Sequence, residues 1–382
     1  MRNTEYEKKL EILLAKSKSY YFNQLLNKYG IFDLSSIHSV ILFGAGLLIE
    51  FYIEDCKNNG IKVLGIADND KKKSGTRISG IDIIDIETLL TYPRHTPIIV
   101  TTIHDAVVIS QLRDLGFTKV WSYTFVSSFY PERFVNPYWS SQIETTLNHP
   151  EEVMAGYRLY DDEYSQKTYI AIIEQRLTLE GQCIKDIYKP IEIQYFDPEL
   201  IKLSDSEFFV DGGAYTGDTV VSFLKAYRGK SGTVYSFEPD PATFKELKKK
   251  IINLNVKNVL LYPYALGEKG STLMFKNNLN LGSSLDEAGS LEVKVVSLDS
   301  VLKNKKVTFI KFDIEGAELS ALRGAKNIIL KQQPTLAICL YHKPQDLWEI
   351  PLLVKSFGCY NKLYFRKYDD TAYDIILYAL KA

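Results

Sequence analysis

The 382-residue sequence has little of what builds metal sites, disulfide frameworks or membrane spans. Its four cysteines (Cys56, Cys183, Cys339 and Cys359) are scattered and form no Cys-x-x-Cys pair. That argues against a disulfide scaffold or a thiolate zinc site and suits a reducing cytosol. The five histidines (His38, His95, His104, His149 and His342) show no ligand-like spacing. Net charge is −1, so no global electrostatic drive toward nucleic acid or an anionic membrane exists. The lysines Lys248–Lys250 fall on a helical pattern and read as a solvated face. The most apolar run, "VILFGAGLLI", is ten residues long, too short to span a bilayer. The opening segment "MRNTEYEKKLEILLAKSKSYYFNQLL" mixes charge into its apolar positions and does not read as a signal peptide. The expectation is a cytoplasmic protein without membrane insertion and without a nucleic-acid partner.

What is present is ordinary globular material: 46% hydrophobic and 24% charged residues in a chain long enough for two cores. Leu10, Leu13, Leu14, Tyr20, Tyr21 and Leu25 carry helical spacing and predict leading helices. From "HSVILFGAGLLIEF" through "IKVLGIADND", "PIIVTTI" and "KVWSY", strands alternate with helices, predicting a small doubly wound domain within residues 1–130. Residues 131–200 lose that alternation and read as a helical connector that closes over a site. Alternation restarts at Glu207 and fills residues 201–382, with "LMFKN" and "EVKVVSL" as short excursion strands. The last two strands, "NKLYFRKY" and "AYDIILYAL", are separated only by Asp369–Thr371, which cannot hold a crossover helix and therefore predicts an antiparallel hairpin. The fold class is α/β with two Rossmann-like domains. A terminal hairpin favours the S-adenosylmethionine (SAM)-dependent methyltransferase fold over a dinucleotide-binding sheet in the second of them.

Three stretches carry chemistry. In "VDGGAYTGDT" a strand ends in Asp211, Gly212 and Gly213, followed by Tyr215 and Thr216. Glycines let the backbone turn tightly against a ligand, and the next helix offers free N–H groups to an anion. In "FEPDPATF", Glu238 ends the second strand 27 residues after Asp211, where an acid can accept both ribose hydroxyls of an adenosine cofactor. Pro239 fixes that turn, and Asp240 reads first as a helix cap. In "FIKFDIEGAELSAL" three carboxylates, Asp313, Glu315 and Glu318, follow an apolar strand. Asp313 at the strand end is the expected acceptor-activating group and Glu315 shares that role. Glu318 falls in the first turn of the next helix and reads as a dipole complement. His342 ends the fifth strand in "LYHKPQD"; it is either a turn residue or the partner of Asp313, as a base pair or as metal ligands. Asp286 and Glu287 read as surface acids.

Taken in order, "FFVDGGAYTGDT", "YSFEPDPATF", "YPYALGE", "VVSLDSVL" and "TFIKFDIEGAELSALRGA" resemble the FkbM family of SAM-dependent methyltransferases, over about residues 205–382. The resemblance implies O-methyl transfer to sugars, glycans or other hydroxyls. It implies that Asp211, Gly212 and Gly213 line the methionine end of SAM, that Glu238 holds the ribose, and that Tyr264 and Ala265 lie near adenine. The usual Asp-Asn pair of metal-dependent relatives is replaced by "LYHKPQD", which leaves a divalent metal open. The first domain is less specific. "GAGLLIEF" supplies Gly44 and Gly46 but puts Ile49 at the third glycine position, and Asp68 follows Gly46 by 22 residues as a ribose-binding acid would. It resembles sugar-nucleotide-binding halves, and a structural or dimerising role fits equally; homo-oligomerisation stays open. The expected reaction is methylation of a sugar hydroxyl, in a nucleotide-activated sugar or polysaccharide precursor. The rivals are an NAD-dependent oxidoreductase or epimerase and a non-catalytic sugar-nucleotide scaffold.

Overall fold

The computed structural model describes residues 4–46, 48–102, 105–134, 142–227, 229, 231–275, 291–369 and 373–381. Asp286 and Glu287, expected at the surface, and His104 lie outside the described residues. The chain forms two compact units. One comprises Met1–Leu10, Pro150–Ala171 and Ile184–Ala382; the other comprises Glu11–His149 and Ile172–Cys183. Sequence-based boundaries near 130 and 200 do not coincide with these divisions. Much of the connector is built into the carboxy-terminal unit, which explains why it showed no ladder of its own.

The amino-terminal unit contains a six-stranded sheet. Its strands are β1 (Ser39–Phe43), β2 (Lys62–Ala67), β3 (Arg77–Ile78), β4 (Ile81–Ile84), β5 (Ile98–Val100) and β6 (Val120–Ser122), in the order β3-β4-β2-β1-β5-β6. All pairings are parallel except β3 with β4. Ile41, Phe43, Ala67, Ile98 and Val100 are buried beneath Val108, Ile109 and Leu112 of the helix Asp105–Asp114. Burial on both faces is what turns parallel strands into near-continuous apolar runs. The β3–β4 hairpin was not foreseen. It turns on Ser79 and Gly80, both at positive φ, the geometry that matches the right-handed twist of short hairpins.

The carboxy-terminal unit holds β7 (Ser206–Gly212), β8 (Ser231–Phe237), β9 (Val259–Tyr262), β10 (Ala265–Leu266), β11 (Ser271–Phe275), β12 (Leu291–Val296), β13 (Phe309–Phe312), β14 (Thr335–Cys339), β15 (Lys362–Lys367) and β16 (Ile375–Leu380). Seven of them form one sheet, ordered β15-β16-β14-β13-β7-β8-β9. From β14 to β9 every pairing is parallel, whereas β16 runs antiparallel to both β14 and β15. The last strand is thus inserted backwards beside the fifth, as the terminal hairpin pattern predicts. The excursion strands β11 and β12 pair antiparallel in a separate three-stranded sheet with β10.

Phe196, Phe209, Phe223 and Phe309 interlock at the centre of the unit, with ring centroids 4.9–5.6 Å apart. Tyr160 and Tyr169 from the former connector pack on Phe365 of β15 at 5.5 and 5.3 Å. Arg366 donates to Asp162 and Ser165 from the same stretch. Such aromatic burial is the large apolar contribution that fixes a segment lacking strands of its own. This matters for the site, because the following residues bring Tyr195 to the end of β13.

Candidate active site

The parallel strands end together at one edge, and the loops leaving β7, β8, β13 and β14 carry the polar side chains. Asp211, the last residue but one of β7, is fully buried. Neither of its carboxylate oxygens accepts a hydrogen bond among the described residues, although Lys311 Nζ of β13 stands 3.2 Å from Oδ1. Burial raises this carboxyl to about 6 against the pull of Lys311. The same ammonium donates to the carbonyls of Gly212 and Gly213 at 3.1 and 2.7 Å, so one buried cation pins the glycine turn to the neighbouring strand. Gly213 has φ +74, and a Cβ there would lie 1.8 Å from the carbonyl oxygen of Asp313. Only glycine permits this approach. The turn after β7 and the end of β13 are therefore in direct backbone contact.

Glu238 closes the other side of that turn. Its Oε2 accepts from Tyr215 N and its Oε1 from Asp240 N, both at 2.9 Å. Burial pushes its carboxyl up to about 7, against those two amides. Asp240 caps the helix Pro241–Asn253 by accepting from Thr243 N, as expected. Thr216 and Pro239 are half-buried beside Tyr215 and Glu238 in these two turns. Ala265 is buried, and Tyr264 lines an open cavity of about 880 Å³ with Ser271, Thr272, Glu292 and Lys294. The Lys294 ammonium lies 5.0 Å above the Tyr264 ring.

At the ends of β13 and β14 the structure brings Asp313, Glu315 and His342 together and adds three residues not singled out in this role. Asp313 Oδ2 accepts from Tyr195 Oη at 2.9 Å and Oδ1 accepts from Tyr341 Oη at 2.8 Å. His342 Nε2 lies 3.3 Å from Asp313 Oδ1 and 3.6 Å from Glu315 Oε2. On the other side of the ring, His342 Nδ1 lies 2.9 Å from Glu318 Oε1. His342 and Glu318 are only 2% and 0% exposed in their side chains, whereas Asp313 and Glu315 are 27% and 29% exposed. The network thus presents two carboxylates outward and hides a charge pair behind them. Burial opposes charge on His342, but Glu318, Asp313 and Glu315 together hold its proton affinity well above the ordinary imidazole range. Burial likewise opposes charge on Asp313, yet His342, Lys311 and Tyr341 reverse this and hold it well below the usual carboxylate range.

This charge pattern sharpens the expected base pair into a carboxylate held beside an imidazole of raised proton affinity. It also bears on a metal. Glu318, Asp313 and Glu315 favour the protonated ring, and that proton competes with a cation for the same nitrogens. Among the described residues no group of three or more His, Cys, Asp or Glu side chains is arranged to hold one. Glu318 stands in the first turn of its helix, as expected, and is in addition the buried partner of His342. It also accepts from Ile314 N at 2.7 Å. Its neighbour Glu315 sits at φ +55, a left-handed conformation that side chains other than glycine adopt only under constraint.

The amino-terminal candidates are arranged differently. Gly44, at φ +114, donates to Ala67 O, and Ala45 N donates to Asp68 Oδ2 at 2.8 Å. Lys73 Nζ stands 3.0 Å from that same oxygen and donates to Ala45 O. Asp68 Oδ1 accepts from Asp70 N at 2.8 Å. Asp68 therefore ties the glycine turn to the end of β2. No helix among the described residues is long and apolar enough to cross a membrane.

A parallel sheet with a reversed strand beside its fifth member, a glycine turn from its first strand and an acid ending its second define a SAM-dependent methyltransferase. Residues 211–364 match the family described as Methyltransferase FkbM domain, so the carboxy-terminal unit carries an FkbM methyltransferase domain. Residues 36–119 match a family described as C2185-like, N-terminal. Methyltransferase 1 of Beauveria bassiana (strain ARSEF 2860) is 28% identical over 192 residues, covering 41% of this chain and 76% of that protein. The solved methyltransferase FkbM from Methylobacillus flagellatus KT superposes with a TM-score of 0.74 at 20% identity, covering 99% of both chains. At that identity the likeness establishes the fold.

Proposed function

We propose that the protein transfers a methyl group from SAM to a hydroxyl of a sugar, within a nucleotide-activated sugar or a surface-polysaccharide precursor. The observation that carries this reading is the Asp313 carboxylate. It is held by Tyr195, Tyr341 and His342, remains partly exposed, and ends the strand whose backbone touches the glycine turn. An acceptor hydroxyl donating to Asp313 is thereby placed beside the cofactor turn, and positioning of this kind supplies much of the acceleration in a displacement reaction. Two outward carboxylates on one turn also suit a ligand that offers several hydroxyl donors.

The residues at the cofactor end fit SAM. Asp211 faces Lys311 with Oδ1 and has a buried Oδ2 without a donor, matching an ammonium, and Glu238 has a lone pair to spare on each oxygen for ribose hydroxyls. SAM supplies an electrophilic methyl on a sulfonium and is left as neutral S-adenosylhomocysteine. Asp313 orients the acceptor oxygen and takes its proton. A carboxylate held so far down is a weak base toward an alcohol. It suffices once the oxygen has begun to bond carbon, because an alkylated hydroxyl is a far stronger acid than the free alcohol. The partly exposed carboxyl then returns the proton to water. The net negative charge of Asp313, Glu315 and Glu318 with one imidazolium also favours a cationic donor over its neutral product.

Mass spectrometry of reactions holding the protein, SAM and a panel of UDP- and dTDP-hexoses tests this. The expected result is a mass gain of one methylene on the sugar moiety, with S-adenosylhomocysteine formed in equal amount. A methyl found on nitrogen or carbon would overturn the reading, as would tight NAD binding with no affinity for SAM.

A further inference from the structure

We infer that Glu318 is a positioning residue for methyl transfer: through His342 it sets the orientation of the Asp313 carboxylate that receives the acceptor hydroxyl. The inference rests on the reaction proposed above and goes beyond it, because Glu318 is wholly buried and touches no substrate.

The geometry is a line of three charged side chains. Glu318 Oε1 lies 2.9 Å from His342 Nδ1, and His342 Nε2 lies 3.3 Å from Asp313 Oδ1. The imidazole is 2% exposed in its side chain, so water cannot substitute for either carboxylate. A buried imidazolium is tolerated only when paired and hydrogen-bonded. Glu318 supplies that pairing from behind, which leaves the Nε2–H directed at the reactive carboxylate. The same Oε1 accepts from Ile314 N, inside the turn that carries Asp313 and the strained Glu315. One oxygen atom thus fixes both the ring and the backbone of the turn it faces.

The surrounding groups are consistent with a rigid clasp between the loops after β13 and β14. Tyr341 donates to Asp313, and Lys343 Nζ donates to the carbonyl of Gly316 at 2.5 Å. Lys343 N donates to Asp346 Oδ2 at the start of the helix Asp346–Ser356. Among the described residues, charged or titratable groups around His342 include Asp313 and Glu315 on one turn, Glu318 on the next helix, and Tyr341, Lys343 and Asp346 on its own loop and the helix behind it. Burial, then Glu318, pushes Asp346 up to about 7.

Glu318→Gln is the incisive variant. It keeps an oxygen that can accept from both Ile314 N and His342 Nδ1 and removes only the charge. With that charge gone the buried ring no longer holds its extra proton at neutral pH. As pH rises, His342 turns neutral more readily than in the wild type, and its hold on Asp313 weakens from a charge-assisted bond to an ordinary one. The expected result, read as S-adenosylhomocysteine formation with the hexose panel, is a fall in kcat of about tenfold or more at about pH 8. Activity should recover partly toward about pH 6, with the Kd for SAM unchanged within about twofold. A pH-independent kcat equal to wild type would overturn the inference. Nitrogen NMR of the labelled wild-type chain tests it without any turnover, so failure of the proposed reaction is told apart from failure of this role. The His342 signals, assigned by their loss in His342→Gln, should show both ring nitrogens protonated at about pH 8. A His342 that titrates near its ordinary value in the wild type would equally overturn it.

Discussion

Replacing Gly213 by alanine probes the contact on which the two halves of the site depend. An added Cβ would lie 1.8 Å from the Asp313 carbonyl oxygen and 2.9 Å from its carbon, so backbone rather than a flexible side chain would have to give way. Left-handed backbone at a residue with a Cβ costs roughly 1–2 kcal/mol. Forcing an atom into a packed contact costs roughly 1–3 kcal/mol more. Together these predict a loss of roughly 2–5 kcal/mol, or about 4–20 °C in Tm for a unit of this size. The strain can be relieved only by parting the glycine turn from β13. That separates the cofactor turn from Asp313 and should lower turnover about a hundredfold, as a misplacement near 1 Å does. Gly46→Ala is the control, since a Cβ at Gly46 meets nothing within 4 Å. Thermal unfolding and S-adenosylhomocysteine release are the assays. If Gly213→Ala behaves like a surface substitution, within about 0.5 kcal/mol and with full turnover, the reasoning from backbone contact fails.

Two more outcomes follow from the charges at the site. Asp211 and Glu238 have folded-state values raised to about 6 and about 7, so their contribution to stability is present below their unfolded values and is lost as pH rises from there to the folded values, on the order of 3 kcal/mol each. The protein without SAM should lose Tm between about pH 4 and pH 7, from the unfolded to the folded values, while the stabilisation by SAM grows toward the upper end of that range; a Tm and a SAM effect both flat with pH would contradict the placement of SAM against these two acids. Asp313→Asn removes the negative charge from a carboxylate held by three donors, and kcat should fall by about 10²–10⁴ with the Kd for SAM kept; retention of full activity would remove Asp313 from the chemistry.

Much of the carboxy-terminal fold was legible because its signals are local. Apolar runs such as "FFVDGG" and "TFIKFD" end in glycines or acids, and a parallel sheet buried on both faces needs such runs. The terminal hairpin was legible for the same reason, although β15 and β16 are joined by residues 368–374 rather than by three residues. The connector was not legible, because what holds it is distant in sequence. Tyr160 and Tyr169 meet Phe365 about two hundred residues later, and no periodicity within residues 131–200 reports that packing. The β3–β4 hairpin escaped because two strands of two and four residues carry too little alternation to stand out beside a Ser-Gly turn.

At the site, identity was easier to read than relation. Asp211, Glu238 and Asp313 each stand next to the last residue of a strand, and strand ends are visible in one dimension. Lys311 gave a signal that could have been used. A lysine inside the four-residue strand "FIKF", buried on all sides, has to meet a carboxylate, and Asp211 on the adjacent β7 is its register partner. Glu318 gave the opposite signal. An acid in the first turn of a helix is ordinary, and the macrodipole accounts for it without any partner. Only the return of the chain in β14 shows that His342 stands against it. Tyr195 gave none, because a tyrosine from the connector becomes a donor to Asp313 only when the connector is folded against β13. The division has a physical basis. Residues that stand at the end of a strand are specified by their own segment. Residues that tune another's charge or orientation are specified by which segments the sheet order brings together.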